Sequence, residues 1–103
     1  MKLSTANIQA RLADLPGWRF GDDAISRKYT FPSFPDAVAF VTRLGFAAEA
    51  ADHHPDLLVS YKRVTVTWST HSAGGVTAKD FDGAGQSDMI AGKLGGSGTD
   101  SRS

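Results

Sequence analysis

The chain contains three histidines, and all of them lie within one short segment. His53, His54 and His71 fall between residues 48 and 72 of a sequence of 103 residues. Imidazole titrates near neutral pH, which suits it to general acid and base catalysis. Three imidazoles can also bind zinc, but the i, i+4 spacing that chelates readily on a helix is absent here. The spacing alone leaves three interpretations open: an acid/base site, a metal site, and unrelated surface histidines.

Three carboxylates accompany the histidines. Glu49, Asp52 and Asp80 could each orient an imidazole ring or accept hydrogen bonds from a polar ligand. Each also has a simpler interpretation. Glu49 would be a solvated helix residue, Asp52 a polar residue at a helix end, and Asp80 a helix cap. Glu49 precedes His53 by one helical turn, so we expect its carboxylate to approach the His53 ring. The sequence contains no serine elbow, phosphate loop or dinucleotide-binding fingerprint.

Hydrophobic periodicity and turn residues predict the elements that position these groups. The predicted order is α-β-β-α-β-β-α, with helices over 4–15 and 33–52, strands over 18–20, 24–31, 57–61 and 64–71, and a last helix that opens at 77. Ser33 and Thr77 are predicted N-caps, because Asp36 and Asp80 follow them three positions later. Pro55 cannot continue the second helix. That helix therefore ends beside the histidine pair, where its dipole favours an imidazolium cation.

These elements predict an α+β fold, a four-stranded antiparallel sheet with three helices packed on one face. We predict a single domain over residues 1–94 and a flexible Gly/Ser-rich tail over residues 95–103. The last helix should be weak, because Gly83 and Gly85 each cost roughly 1 kcal/mol relative to alanine. Its expected core anchors are Phe81, Met89, Ile90 and Leu94.

The composition narrows the class of protein. Lys plus Arg and Asp plus Glu balance at eleven each, so no basic surface for nucleic acid or an anionic membrane is expected. The absence of cysteine excludes disulfides and thiolate metal sites, and it fits a reducing compartment. The N-terminal segment lacks the apolar core of a signal peptide, and no apolar run approaches membrane-spanning length. The expected location is the cytoplasm.

The histidine segment belongs to a longer pattern of fixed gaps. The pattern runs through Glu49, His53-His54-Pro55, Tyr61, His71 and Asp80, and it includes the segment STHSAGGVTAKD. Upstream, LPGW at 15–18 and TFPSFPDAVAFV at 30–41 fit the same signature. Over roughly residues 4–92 the chain resembles the pterin-4a-carbinolamine dehydratase family. The resemblance would make the three histidines parts of one active site.

The resemblance implies an activity and a set of residue roles. The activity is dehydration of 4a-hydroxytetrahydropterin to quinonoid dihydropterin and water in tetrahydrobiopterin recycling, with no metal and no redox cofactor. The catalytic residues would be His53, His54 and His71, with acid/base duty on the first and last and pterin binding mainly on His54. The substrate-binding residues that it implies are Glu49, Asp52, Pro55, Ser69, Thr70, Ser72 and Asp80.

The resemblance also implies partners and one alternative role. It implies a homodimer or homotetramer, built from surfaces such as those around Tyr61, Thr65 and Thr67, and a pathway shared with an aromatic amino-acid hydroxylase. Relatives of the same fold serve as dimerisation partners of transcription factors or as assembly factors for a carbon-fixing enzyme, and some lack the catalytic residues. All three histidines are present here, which favours the enzyme over a non-catalytic role.

Overall fold

A computed structural model describes residues 1–99 of the chain. The chain forms the helices α1 (Thr5–Leu12), α2 (Phe34–Ala51) and α3 (Ala78–Lys93), and the strands β1 (Arg19–Gly21), β2 (Ala24–Thr30), β3 (Asp56–Ser60), β4 (Arg63–Trp68) and β5 (Ser97–Thr99). The predicted order of elements is confirmed up to the end of α3. None of the helices in this part of the chain combines the length and the apolar character needed to cross a bilayer.

The strands form one antiparallel sheet in the order β1-β2-β4-β3. Tyr29 of β2 lies opposite Val64 of β4, and Leu57 of β3 lies opposite Val66. Successive side chains point to opposite faces of a sheet. Strand β4 therefore buries Val64, Val66 and Trp68, while the residues between them are less buried. Helices α2 and α3 contact β4, and the buried residues join in one core, which confirms the predicted α+β fold.

A fifth strand lies within the segment that the sequence assigns to a tail. Ser97–Thr99 pair antiparallel with β2, where Ser97 lies opposite Thr30 and Thr99 lies opposite Lys28. Strand β1 pairs only with the first part of β2, so the remaining length of that edge is available to β5. The segment Ser-Gly-Thr is too short to show a hydrophobic alternation, and the sequence did not predict this strand. Residues 100–103 of the predicted tail lie outside the described residues.

Asp88 fastens α3 to the sheet. Its carboxylate accepts hydrogen bonds from Trp18 Nε1 at 3.1 Å, from Arg27 Nη1 at 2.9 Å, and from the Tyr29 hydroxyl. Burial, and then the hydrogen bond to Asp88, raise the pKa of Tyr29, so its hydroxyl keeps its proton and remains a donor. Because these contacts join α3 to β2 and to the residue before β1, they offset the low helix propensity of the glycines.

The predicted anchors of α3 are partly correct. Phe81, Ile90 and Leu94 pack against the core, as the sequence predicts. Met89 is 53 % exposed, so its assignment as an anchor was wrong. The fully buried positions of α3 are mostly small, because the helix lies close to the sheet; they are Asp80, Gly83, Ala84, Ser87 and Ala91.

Gly83 lies directly against an indole ring. A Cβ built on Gly83 would lie 2.6 Å from ring atoms of Trp68, far closer than carbon atoms normally approach. A Cβ built on Gly85 would meet nothing within 4 Å. The two glycines that the sequence treats alike therefore differ, because packing requires only the first of them.

Gly83→Ala should destabilise the protein by about 1–3 kcal/mol, because the new methyl group must displace the buried Trp68 ring. Gly85→Ala is the matched control, and it should stabilise the protein by about 0.5–1 kcal/mol through helix propensity alone. Denaturant unfolding of the two variants measures both free energies. Two variants that are equally stable would contradict the packing of Trp68 on Gly83.

Candidate active site

The end of α2 determines where His53 lies. Asp52 adopts the left-handed conformation (φ 52°, ψ 41°), and its amide donates to the carbonyls of Ala48 and Glu49. The His53 amide also reaches the Ala48 carbonyl, at 3.1 Å. Such bonds commonly close a helix, and aspartate adopts this conformation more readily than most residues. The chain therefore leaves the helix axis at Asp52 and places His53 beside a cavity between α2 and α3.

A buried carboxylate holds the His53 ring. His53 Nε2 lies 2.6 Å from Asp80 Oδ1, and the Asp80 side chain is fully buried. Asp80 Oδ2 accepts from Thr70 Oγ1 at 2.8 Å and from the Thr77 amide at 2.9 Å. A buried carboxylate is costly unless donors satisfy it. Here the strand end, the start of α3 and the imidazole together provide these donors, so the ring is positioned by three segments of the chain.

Trp68 fixes the plane of the same ring. The His53 and Trp68 rings stack with centroids 5.4 Å apart and planes 25° apart. Trp68 Nε1 donates to Ser87 Oγ at 3.1 Å, and Ser87 Oγ donates to the Gly83 carbonyl at 2.8 Å. Sequence reasoning did not assign Trp68 or Ser87 to the site. The available signal was that Trp68 shares the inward parity of β4 and lies two residues before Thr70.

The cavity beside His53 has a volume of about 270 Å³. Such a volume lies close to the lower end of small-molecule sites, which begin at about 300 Å³. Its lining is apolar on α2, at Leu44, Ala47, Ala48 and Ala51, and carries polar groups on α3, at Lys79, Asp82 and Gln86. Trp68 and Gly83 complete the lining. The His53 ring therefore borders a largely apolar space that is able to receive part of a ligand.

The predicted pairing of Glu49 with His53 is wrong. Glu49 Oε1 lies 2.7 Å from His54 Nε2, and both side chains are exposed. The prediction assumed that the helix continues through His53, which would place the two side chains one turn apart. The left-handed turn at Asp52 breaks that periodicity, so His53 turns towards Asp80 and its neighbour meets Glu49.

His71 lies in a different environment from His53. It begins a 3₁₀ turn, His71–Ala73, after the end of β4, and its side chain is exposed. It lines an open groove of about 500 Å³ together with Asp23, Asp56 and Ser69, among others. Ser69 Oγ donates to the Asp23 carbonyl at 2.9 Å. Near the end of β4, His53 therefore lines the cavity between α2 and α3, whereas His71 lines a different groove.

The other predicted site residues differ in burial. Thr70 and Asp80 are buried and bonded to each other, and both also contact Thr77, the predicted N-cap. Asp52 and Ser72 are exposed, and Pro55 is half-buried. Among residues 1–99, no group of three or more His, Asp or Glu side chains is arranged to hold a metal ion. The three-imidazole metal site that spacing left open is therefore not formed by the described residues.

The chain matches a known protein family over most of its length. A family model described as Pterin 4 alpha carbinolamine dehydratase matches residues 1–90. The chain belongs to this family. Relatives from Roseiflexus castenholzii and Picosynechococcus are 50% and 48% identical, over 85% and 86% of this chain and 95% and 97% of their own lengths; both carry the name "Putative pterin-4-alpha-carbinolamine dehydratase". The family predicted from the sequence is confirmed.

Two solved structures have folds similar to that of this chain. A transcriptional coactivator/pterin dehydratase from Brucella melitensis matches with a TM-score of 0.85 and 36% identity, over 88% of this chain and 99% of that chain. A pterin dehydratase-like protein identified as a RuBisCO assembly factor in the alpha-carboxysome matches with a TM-score of 0.63 and 23% identity, over 74% of this chain and 90% of that chain. The second likeness concerns the fold alone.

The two histidine–carboxylate pairs should differ in their effect on stability. His53→Ala removes a donor from the fully buried Asp80 carboxylate, and it should cost about 1–3 kcal/mol of unfolding free energy. His54→Ala removes a solvent-exposed pair, and it should cost about 0–1 kcal/mol. Urea unfolding near neutral pH provides the comparison. A larger loss for His54→Ala than for His53→Ala would contradict the assigned partners.

Proposed function

We propose that this protein dehydrates 4a-hydroxytetrahydropterin to quinonoid dihydropterin and water by histidine acid/base catalysis. The family match and the names of its relatives support a pterin carbinolamine dehydratase. The observation that carries the proposal for the mechanism is the His53 ring, held by the buried Asp80 carboxylate at the side of an apolar cavity. An imidazole in this position has a fixed orientation and a ligand-sized space next to it.

The reaction requires an acid and a base. The C4a hydroxyl leaves poorly as hydroxide, so an acid protonates the oxygen while a neighbouring ring nitrogen donates its electron pair and the C–O bond breaks. A base then accepts the proton that the ring nitrogen loses, and water is released. We assign the acid to His53, because the buried Asp80 carboxylate lies 2.6 Å from its Nε2 and holds the ring at the side of the cavity. Asp80 replaces Glu49 in this role.

The remaining roles follow the family resemblance. We propose that His71 is the base and that His54, paired with Glu49, mainly holds the pterin. The substrate would then lie across the end of β4, between the cavity that His53 lines and the groove that His71 lines. Asp52, Pro55, Ser69 and Ser72 are proposed to border it. We reassign Asp80 and the Thr70 hydroxyl from substrate contacts to positioning groups, because their oxygen atoms are engaged by the protein.

A binding role without catalysis receives less support. Two structural relatives are named as a coactivator and as an assembly factor, but such roles do not require a buried carboxylate to orient an imidazole beside a cavity.

The homo-oligomer stays a prediction. Exposed Leu58, Val59 and Tyr61 on and beside the edge strand β3 support it. The cytoplasmic location and the pathway shared with an aromatic amino-acid hydroxylase also stay predictions.

His53→Ala should lower kcat for dehydration by about 10²-fold or more, which is the usual effect of losing a general acid. His54→Ala should instead raise KM, because its proposed role is in binding. The measurement follows the ultraviolet absorbance of enzymatically generated 4a-hydroxytetrahydropterin, with the unaided rate of dehydration subtracted. Wild-type protein that does not exceed the unaided rate would refute the proposed activity. If only His54→Ala lowers kcat, the roles of acid and of pterin binding that we assign to His53 and His54 are reversed.

A further inference from the structure

A chain of hydroxyl groups leads from the start of α3 to the Asp80 carboxylate. The Lys79 amide donates to Thr77 Oγ1 at 3.3 Å, Thr77 Oγ1 lies 2.8 Å from Thr70 Oγ1, and Thr70 Oγ1 donates to Asp80 Oδ2 at 2.8 Å. Thr70, Thr77 and Asp80 are all buried. No solvent is needed to explain this network, because each hydroxyl oxygen already has two partners within the protein.

The direction of every hydrogen bond in this chain can be deduced. A threonine hydroxyl has a single proton. Thr70 gives its proton to Asp80, so the contact between the two hydroxyls requires Thr77 to donate to Thr70. Asp80 Oδ2 also accepts from the Thr77 amide. A carboxylate can only accept hydrogen bonds. With Asp80 as a carboxylate, all donors point towards it, and Oδ1 accepts from His53.

The direction of these hydrogen bonds determines which ring nitrogen of His53 is protonated when the ring is neutral. Asp80 Oδ1 lies 2.6 Å from Nε2. An acceptor at that position requires a proton on Nε2, because only a protonated ring nitrogen donates. The neutral His53 ring then has its lone pair on Nδ1. The stacked indole of Trp68 holds the ring plane and keeps the two nitrogens in place.

We infer that the Thr77–Thr70–Asp80 chain fixes the proton on Nε2 of His53, so that Nδ1 is the atom that exchanges a proton with the substrate. The inference deepens the proposed function and rests on it. Thr70 and Thr77 are then positioning residues, since they act on the reaction through Asp80 and His53 without touching the substrate. Nδ1 gains the proton as the imidazolium forms and loses it to the leaving hydroxyl, while Nε2 keeps the proton that it donates to Asp80.

The tautomer is measured directly by long-range ¹H–¹⁵N correlation spectra of the labelled full-length protein, at a pH where the imidazoles are neutral. The His53 ring should be in the Nε2–H form, and the exposed His71 ring provides an internal reference. A His53 ring in the Nδ1–H form would overturn the inference. Because this measurement needs no substrate and no variant, its failure is distinguishable from failure of the dehydration assay.

Variants of the hydroxyl chain test the positioning roles. Thr77→Val and Thr70→Val should each lower kcat by about tenfold or more with little change in KM, and should increase the population of the Nδ1–H tautomer. Thr77→Ser and Thr70→Ser retain the hydroxyl and should restore both properties. Valine variants that keep the wild-type tautomer and kcat, or that change only KM, would overturn the assignment. Their melting temperatures identify any variant whose loss reflects unfolding.

Discussion

A carboxylate that is buried in a protein needs hydrogen-bond donors around it, and the Asp80 side chain is fully buried. Its donors are His53, which follows the turn that ends α2, Thr70, which follows β4, and the amide of Thr77, the N-cap of α3. Because removing any one donor leaves buried charge less well satisfied, the three ends are held in a single arrangement. That arrangement also positions the proposed acid, so the stability of this region and its chemistry depend on the same hydrogen bonds.

The placement of α3 is the second condition for this site. The helix has low intrinsic helix propensity because of its glycines, and two sets of tertiary contacts compensate for this. Asp88 ties it to Trp18, Arg27 and Tyr29, and Gly83 permits the Trp68 ring to lie against the helix backbone. The same indole stacks on His53. The glycine that weakens the helix locally therefore allows the close approach that fixes the imidazole.

Local rules predicted the features that depend on neighbouring residues. Ser33 accepts from Asp36, and Thr77 forms a capping box with Asp80, as the spacing predicts. The alternation along β4 correctly identified its buried face. The resemblance to a family identified the segment that carries the histidines. It did not specify that the two adjacent histidines have different carboxylate partners.

Contacts between distant residues could not be predicted in this way. His53 and Asp80 are 27 positions apart, and Trp18 and Asp88 are 70 apart, so no local periodicity relates them. One residue, Asp52, redirected the chain and made the pairing expected from helical spacing wrong. Strand β5 forms on an edge of β2 that β1 leaves open, and this depends on the completed sheet.

The contacts of Asp80 imply that it affects the reaction only through His53. A double-mutant cycle on kcat for dehydration tests it most directly, with His53→Ala, Asp80→Asn and the double variant compared with wild type. Asp80→Asn should lower kcat by roughly tenfold or more in the wild-type background and should have no further effect once His53 is alanine. Equal fold-losses from Asp80→Asn in both backgrounds would contradict it, because Asp80 would then act on the substrate by a route that does not include His53.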